Sequence, residues 1–275
     1  MSSLFWPLVA LSQLSAVAMV VTMVIWLQRH VGGIVWGAAG GYHPLLLTIA
    51  LVLLYGEALL SFRVLDRWRV PYLGQKAVHA SLHTAIILLT AAGLRAAVQA
   101  KDVRPGHADS GTVHNYSVHS WLGVCTVTLF ALQYVAGCAY YGAERFLRQD
   151  HPLRALYPPV HVFFGIFMFA LAIASCLTGL NELSIYQIAD YSRGVAEGAL
   201  GNAYGLCMVL FGGLVALVVT RSGYRTTASP AHAQGPGPEE RRIVYLDAVP
   251  TLQADVRDEA MDDGDGLRME RKDPA

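Results

Sequence analysis

Four histidines define the chemistry this sequence can support: His43 in YHPLLL, His79 in KAVHASLH, His119 in SVHSW and His161 in YPPVHVFFG. Each lies within or at the start of an apolar run, as does His83, one helical turn beyond His79. Ionisable groups at membrane depth are expensive, face the interior of a bundle and mark function. A neutral imidazole is also a ready ligand for iron.

Those runs set the class of protein. The chain has 275 residues, 54% of them hydrophobic and 15% charged, too apolar for an ordinary soluble domain. Six runs, at 5–27, 43–62, 77–98, 119–141, 160–180 and 200–220, can each cross a hydrocarbon core, which takes about 20 helical residues. The first lacks a basic flank and a small-residue cleavage site, so it is predicted to be a helix rather than a signal peptide. The expected fold is all-α, an integral membrane six-helix bundle over 1–221. Residues 222–275 are rich in Pro, Gly and charge, and are expected to form a disordered cytoplasmic tail. A net charge of zero offers no basic character for nucleic acid. The four cysteines form no CxxC or CxxCH, which argues against zinc ribbons and covalently attached haem.

Lys and Arg in the connections predict orientation. Nine fall after the second, fourth and sixth spans (Arg63, Arg67, Arg69, Lys76, Arg145, Arg148, Arg154, Arg221, Arg225), against five on the other side. Both termini are therefore expected in the cytoplasm. Spans two and four then start on the outer side, with His43 and His119 at similar depth. Spans three and five start on the cytoplasmic side, with His79 and His161. The result is one histidine pair per leaflet.

Two imidazoles facing each other across a bundle suit a flat, apolar tetrapyrrole with iron between them, a centre that passes electrons. Structural zinc wants four ligands, and the only acid well inside a span is Glu57. A rival reading, a proton-coupled or metal-ion transporter using the histidines, would need acidic mid-span sites or broken helices. Spacing does not choose between His79 and His83, which share one helical face.

The ordered segments YHPLLL, YGEALLSFRVL, KAVHASLH, NYSVHSWLG, FALQYVAG, HPLRALYPPVHVFFG, TGLNE and EGALGNAYGL make the chain similar to the cytochrome b561 family of ascorbate-dependent transmembrane electron carriers. The resemblance implies a bundle whose central four helices hold two non-covalent b haems. It implies His43 and His119 as ligands of the outer haem, and His79 and His161 of the cytoplasmic one. His83 is left as a pocket residue. It further implies ascorbate binding at Lys76 and Arg154, although Tyr72 stands where many relatives carry a third basic residue. His107, Tyr116 and Asn115 match positions that meet an outer acceptor, monodehydroascorbate or a ferric chelate. Arg63 is expected to pair with a haem propionate or cap a helix, and Gln133 to bond near the haem or to another helix. The resemblance also implies a homodimer, in the plasma membrane or an endomembrane such as the lysosome or a secretory vesicle.

Overall fold

A computed structural model describes residues 4–30, 32–34, 41–102, 116–148 and 151–221. The tail at 222–275 lies outside the described residues. Six helices dominate: α1 Phe5–His30, α2 Tyr42–Arg67, α3 Tyr72–Asp102, α4 Val118–Ala143, α5 Leu153–Gln187 and α6 Ala196–Thr220. Each has an 18-residue window with mean hydropathy between 1.6 and 2.3. In lipid every backbone polar group must be satisfied within the protein, and a helix does this along its own axis. The chain is an integral multi-pass membrane protein, as its apolar runs predict.

The antiparallel hairpins α2–α3 and α4–α5 form the middle of the bundle, and α1 packs along α6 against them. A buried aromatic layer ties the halves together. The Tyr55 ring lies 5.2 Å from Phe130 and 5.5 Å from Phe169, and Phe169 lies 6.4 Å from Phe211. The Tyr55 hydroxyl donates to the Gly165 carbonyl at 3.0 Å, satisfying the one polar atom of that layer's phenol.

Three features differ from the sequence expectation. The helices outrun the apolar runs, so Gln75 and Lys76 lie inside α3, about one turn before His79. Helix α5 begins at Leu153 and continues through Pro158 and Pro159. Proline has a helix-compatible φ, and both prolines fall near the N-terminal end, so they remove amide donors without ending the helix. Within α2, Thr48–Leu54 is π-helical. A π turn takes more residues than an α turn, so the segment re-aims the face that follows it. At its start, the Thr48 and Tyr204 hydroxyls are 2.6 Å apart, joining α2 to α6.

Candidate haem and substrate sites

The bundle brings together the four histidines picked out from the sequence. His43 of α2 and His119 of α4 have ring centroids 6.0 Å apart; His79 of α3 and His161 of α5 have theirs 6.5 Å apart. Two imidazoles bound to one iron from opposite sides, each at about 2 Å, would hold their centroids about 6 Å apart. Each pair has that spacing. Among the described residues no group of three or more His, Cys, Asp or Glu side chains converges on a metal position. Two facing imidazoles at this spacing fit the axial ligation of a planar macrocycle.

Three of the four rings are oriented by main-chain acceptors. His43 Nδ1 is 3.0 Å from the Gly93 carbonyl, His79 Nδ1 3.0 Å from that of Ala58, and His119 Nδ1 2.8 Å from that of Ser175. A carbonyl only accepts, so in each neutral ring Nδ1 carries the proton and Nε2 keeps its lone pair for a metal. His161 differs. Its Nδ1 lies 3.5 Å from the Tyr157 hydroxyl, and its own carbonyl accepts from Gln133 Nε2 at 2.7 Å. Gln133 therefore fixes the backbone of a candidate ligand from α4.

Two glycines let helices approach these rings. A Cβ at Gly179 would stand 2.6 Å from His119 Cε1, and one at Gly137 would stand 3.2 Å from His161 Cε1. Both lie in segments that carry the family resemblance, Gly137 in FALQYVAG and Gly179 in TGLNE.

His83 packs between the two levels. Its ring centroid is 4.4 Å from His79, 5.3 Å from Tyr55 and 5.4 Å from Phe130, a pocket position inward of the His79 pair. Arg63 reaches α6, where Nη2 donates to the Val219 carbonyl at 2.6 Å, so it caps the end of another helix. Glu57, on which a transport reading would depend, accepts from Gln13 of α1 at 2.8 Å and so turns toward α1.

Lys76 and Arg154 converge on one short stretch, 144–148. Lys76 Nζ is ion-paired with Glu144 and lies over the Tyr72 and Tyr141 rings, at 4.7 and 5.0 Å. Arg154 donates to the carbonyls of Glu144, of Leu147 at 3.1 Å and of Arg148 at 3.1 Å. Around them Tyr140 and Tyr157 stack at 4.2 Å, and Tyr141 lies 5.4 Å from His161. This tyrosine cluster was not foreseen from the sequence. At the other end Tyr116 is 83% exposed, next to Ser117, whose hydroxyl caps α4 by accepting from the Ser120 amide at 3.2 Å. The serine of the YSxHSW pattern thus serves the helix start. His107, His114 and Asn115 lie outside the described residues.

A helical membrane bundle with two facing imidazole pairs belongs to the class of candidate membrane cytochromes, and comparison with known proteins narrows it. The family model described as eukaryotic cytochrome b561 matches residues 42–187. A lysosomal membrane ascorbate-dependent ferrireductase from Rattus norvegicus is 36% identical over 207 residues, covering 73% of this chain and 77% of the relative. A transmembrane ascorbate-dependent reductase from Sus scrofa is 35% identical over 222 residues, 79% of this chain and 83% of the relative. The chain belongs to the eukaryotic cytochrome b561 family. Membership implies haem b as the prosthetic group.

Proposed function

We propose that this oxidoreductase moves single electrons from cytosolic ascorbate, through two b haems, to an acceptor on the opposite face: monodehydroascorbate or a ferric chelate. The observation that carries this reading is the pair of imidazole spacings, 6.0 and 6.5 Å, on one four-helix core. Ala58, whose carbonyl orients His79, lies fifteen residues along α2 from His43, so the two levels stand about 20 Å apart. The rat and pig relatives are ascorbate-dependent reductases, which points to the donor, and the rat relative is a ferrireductase, which points to a ferric acceptor.

When bound, haem would supply a one-electron iron couple, held by His43 and His119 at one level and by His79 and His161 at the other. The chain's own residues hold and insulate it. The Gly93, Ala58 and Ser175 carbonyls keep three imidazoles in the tautomer that presents Nε2. Phe62, 5.1 Å from His79, and Tyr141, 5.4 Å from His161, keep water from the second level. Lys76 offers a point charge to the ascorbate monoanion, and Arg154, whose Nε and Nη2 are held by main-chain carbonyls, adds a second positive charge nearby. The donor loses one electron, releases one proton to the cytosolic side and leaves as monodehydroascorbate. The His79 end faces the cytosol, by the excess of Lys and Arg on that side. At the opposite face Tyr116, with His107 and Asn115, meets the acceptor. The rat relative's lysosomal membrane makes an endomembrane the first place to look for this chain.

Sealed vesicles carrying the haem-loaded chain and trapped ascorbate test the proposal. Two low-spin haem components and reduction of an external ferric chelate are expected. Haem that is reduced by ascorbate while neither an external ferric chelate nor external monodehydroascorbate is reduced would overturn it.

A further inference from the structure

The lysine assigned to ascorbate already holds an anion. Lys76 Nζ pairs with the Glu144 carboxylate, and the two side chains are only 18% and 26% exposed. Solvent and salt therefore screen them less than a surface pair. Arg154 fixes the main chain beneath, through the carbonyls of Glu144, Leu147 and Arg148. Glu144 itself opens the 3-10 turn Glu144–Phe146, directly after α4. Its side chain leaves from a helix end, where it can rotate away while Arg154 keeps the turn in place. One cation thus pairs with the carboxylate, and a second holds the main chain that carries it. Tyr72, across the Lys76 ammonium, adds a ring face but no charge.

We infer that Glu144 is an internal counter-ion which an anionic electron donor must displace from Lys76, so that this carboxylate sets the affinity for ascorbate. The inference rests on the proposed reading of Lys76 as an ascorbate contact. Docking then exchanges one ion pair for another instead of creating a new one. A substitution that removes the carboxylate charge frees Lys76 for the donor. It leaves the candidate ligands His79 and His161 untouched.

The experiment measures the rate of haem reduction in the loaded chain, in lipid nanodiscs, against the concentration of ascorbate or of an uncharged hydroquinone. Glu144→Gln should lower the half-saturating ascorbate concentration by about threefold to tenfold and leave that of the hydroquinone unchanged. In a Lys76→Gln background the same change should give no such gain. In the unmodified chain, half-saturation by ascorbate should stay nearly flat between about 50 and 300 mM salt, since one pair replaces another. An unchanged or raised value in Glu144→Gln, an equal shift for both donors, or a steep salt dependence of the unmodified chain would each overturn the inference. Lys76→Gln alone separates the two proposals. If it leaves ascorbate half-saturation unchanged, the ascorbate contact itself is misassigned. If it weakens ascorbate while Glu144→Gln brings no gain, only the counter-ion role fails.

Discussion

Each histidine-bearing helix can serve both ends of the bundle, and the two ends use this differently. Helix α3 contributes His79 to one end and the Gly93 carbonyl, fourteen residues on, to His43 at the other. Helix α5 contributes His161 and, fourteen residues on, the Ser175 carbonyl for His119. Helix α2 supplies His43 and the Ala58 carbonyl for His79. By this pattern α4 should offer His161 a carbonyl. Instead it places Gly137 against the ring, and the nearest polar partner is the Tyr157 phenol on His161's own helix, at 3.5 Å. The His43 end is thus oriented wholly by main chain, which no substitution removes. The His79 end is half oriented by a side chain and is crowded by tyrosines, Lys76 and Glu144. The difference separates an end whose imidazoles are held by main chain from one where side chains can adjust the surroundings of the ring.

The largest expected effect comes from the ligands themselves. His43→Ala and His79→Ala should each remove one of two low-spin components from the absorption spectrum, and a different one in each case. If both variants lost the same component, the two-level arrangement would be wrong. Gly179→Ala should be next, because its methyl would sit 2.6 Å from His119 and force the ring or the helix to move. A cost of about 1–3 kcal/mol, seen as a lower unfolding temperature, should accompany a disturbed His43-end spectrum. Gly137→Ala, with 3.2 Å available at His161, should be milder and confined to the other component. Equal effects would erase the asymmetry of the ends. Smallest is Tyr157→Phe. Loss of an acceptor for Nδ1–H makes His161 a weaker donor to iron, so one haem potential should rise by about 20–60 mV in a redox titration while the other holds.

Much of the helical framework was legible in the residues, because a lipid-crossing segment must be long and apolar wherever it occurs. The start of α5 at Leu153 was less legible, since hydrophobicity marks the lipid-crossing part at 160–180 and not the helical turns that precede it. The π-helical segment of α2 left no signal, because TIALVLL is equally acceptable to an α-helix. The histidines stood out by type and depth. Gly179 did not, because its role depends on which ring it meets.

Composition and periodicity alone determined six membrane helices and the alternation that assigns His43 and His119 to one end and His79 and His161 to the other. Those follow from the hydrocarbon thickness and from the up-and-down path of a chain with an odd or even number of crossings. Only the packed bundle decided which carbonyl orients which imidazole, that Arg63 caps α6, and that Glu144 neutralises Lys76. These partners come from helices far apart in the chain, and hydrogen bonds and ion pairs form over a few ångströms of space whatever the distance in sequence.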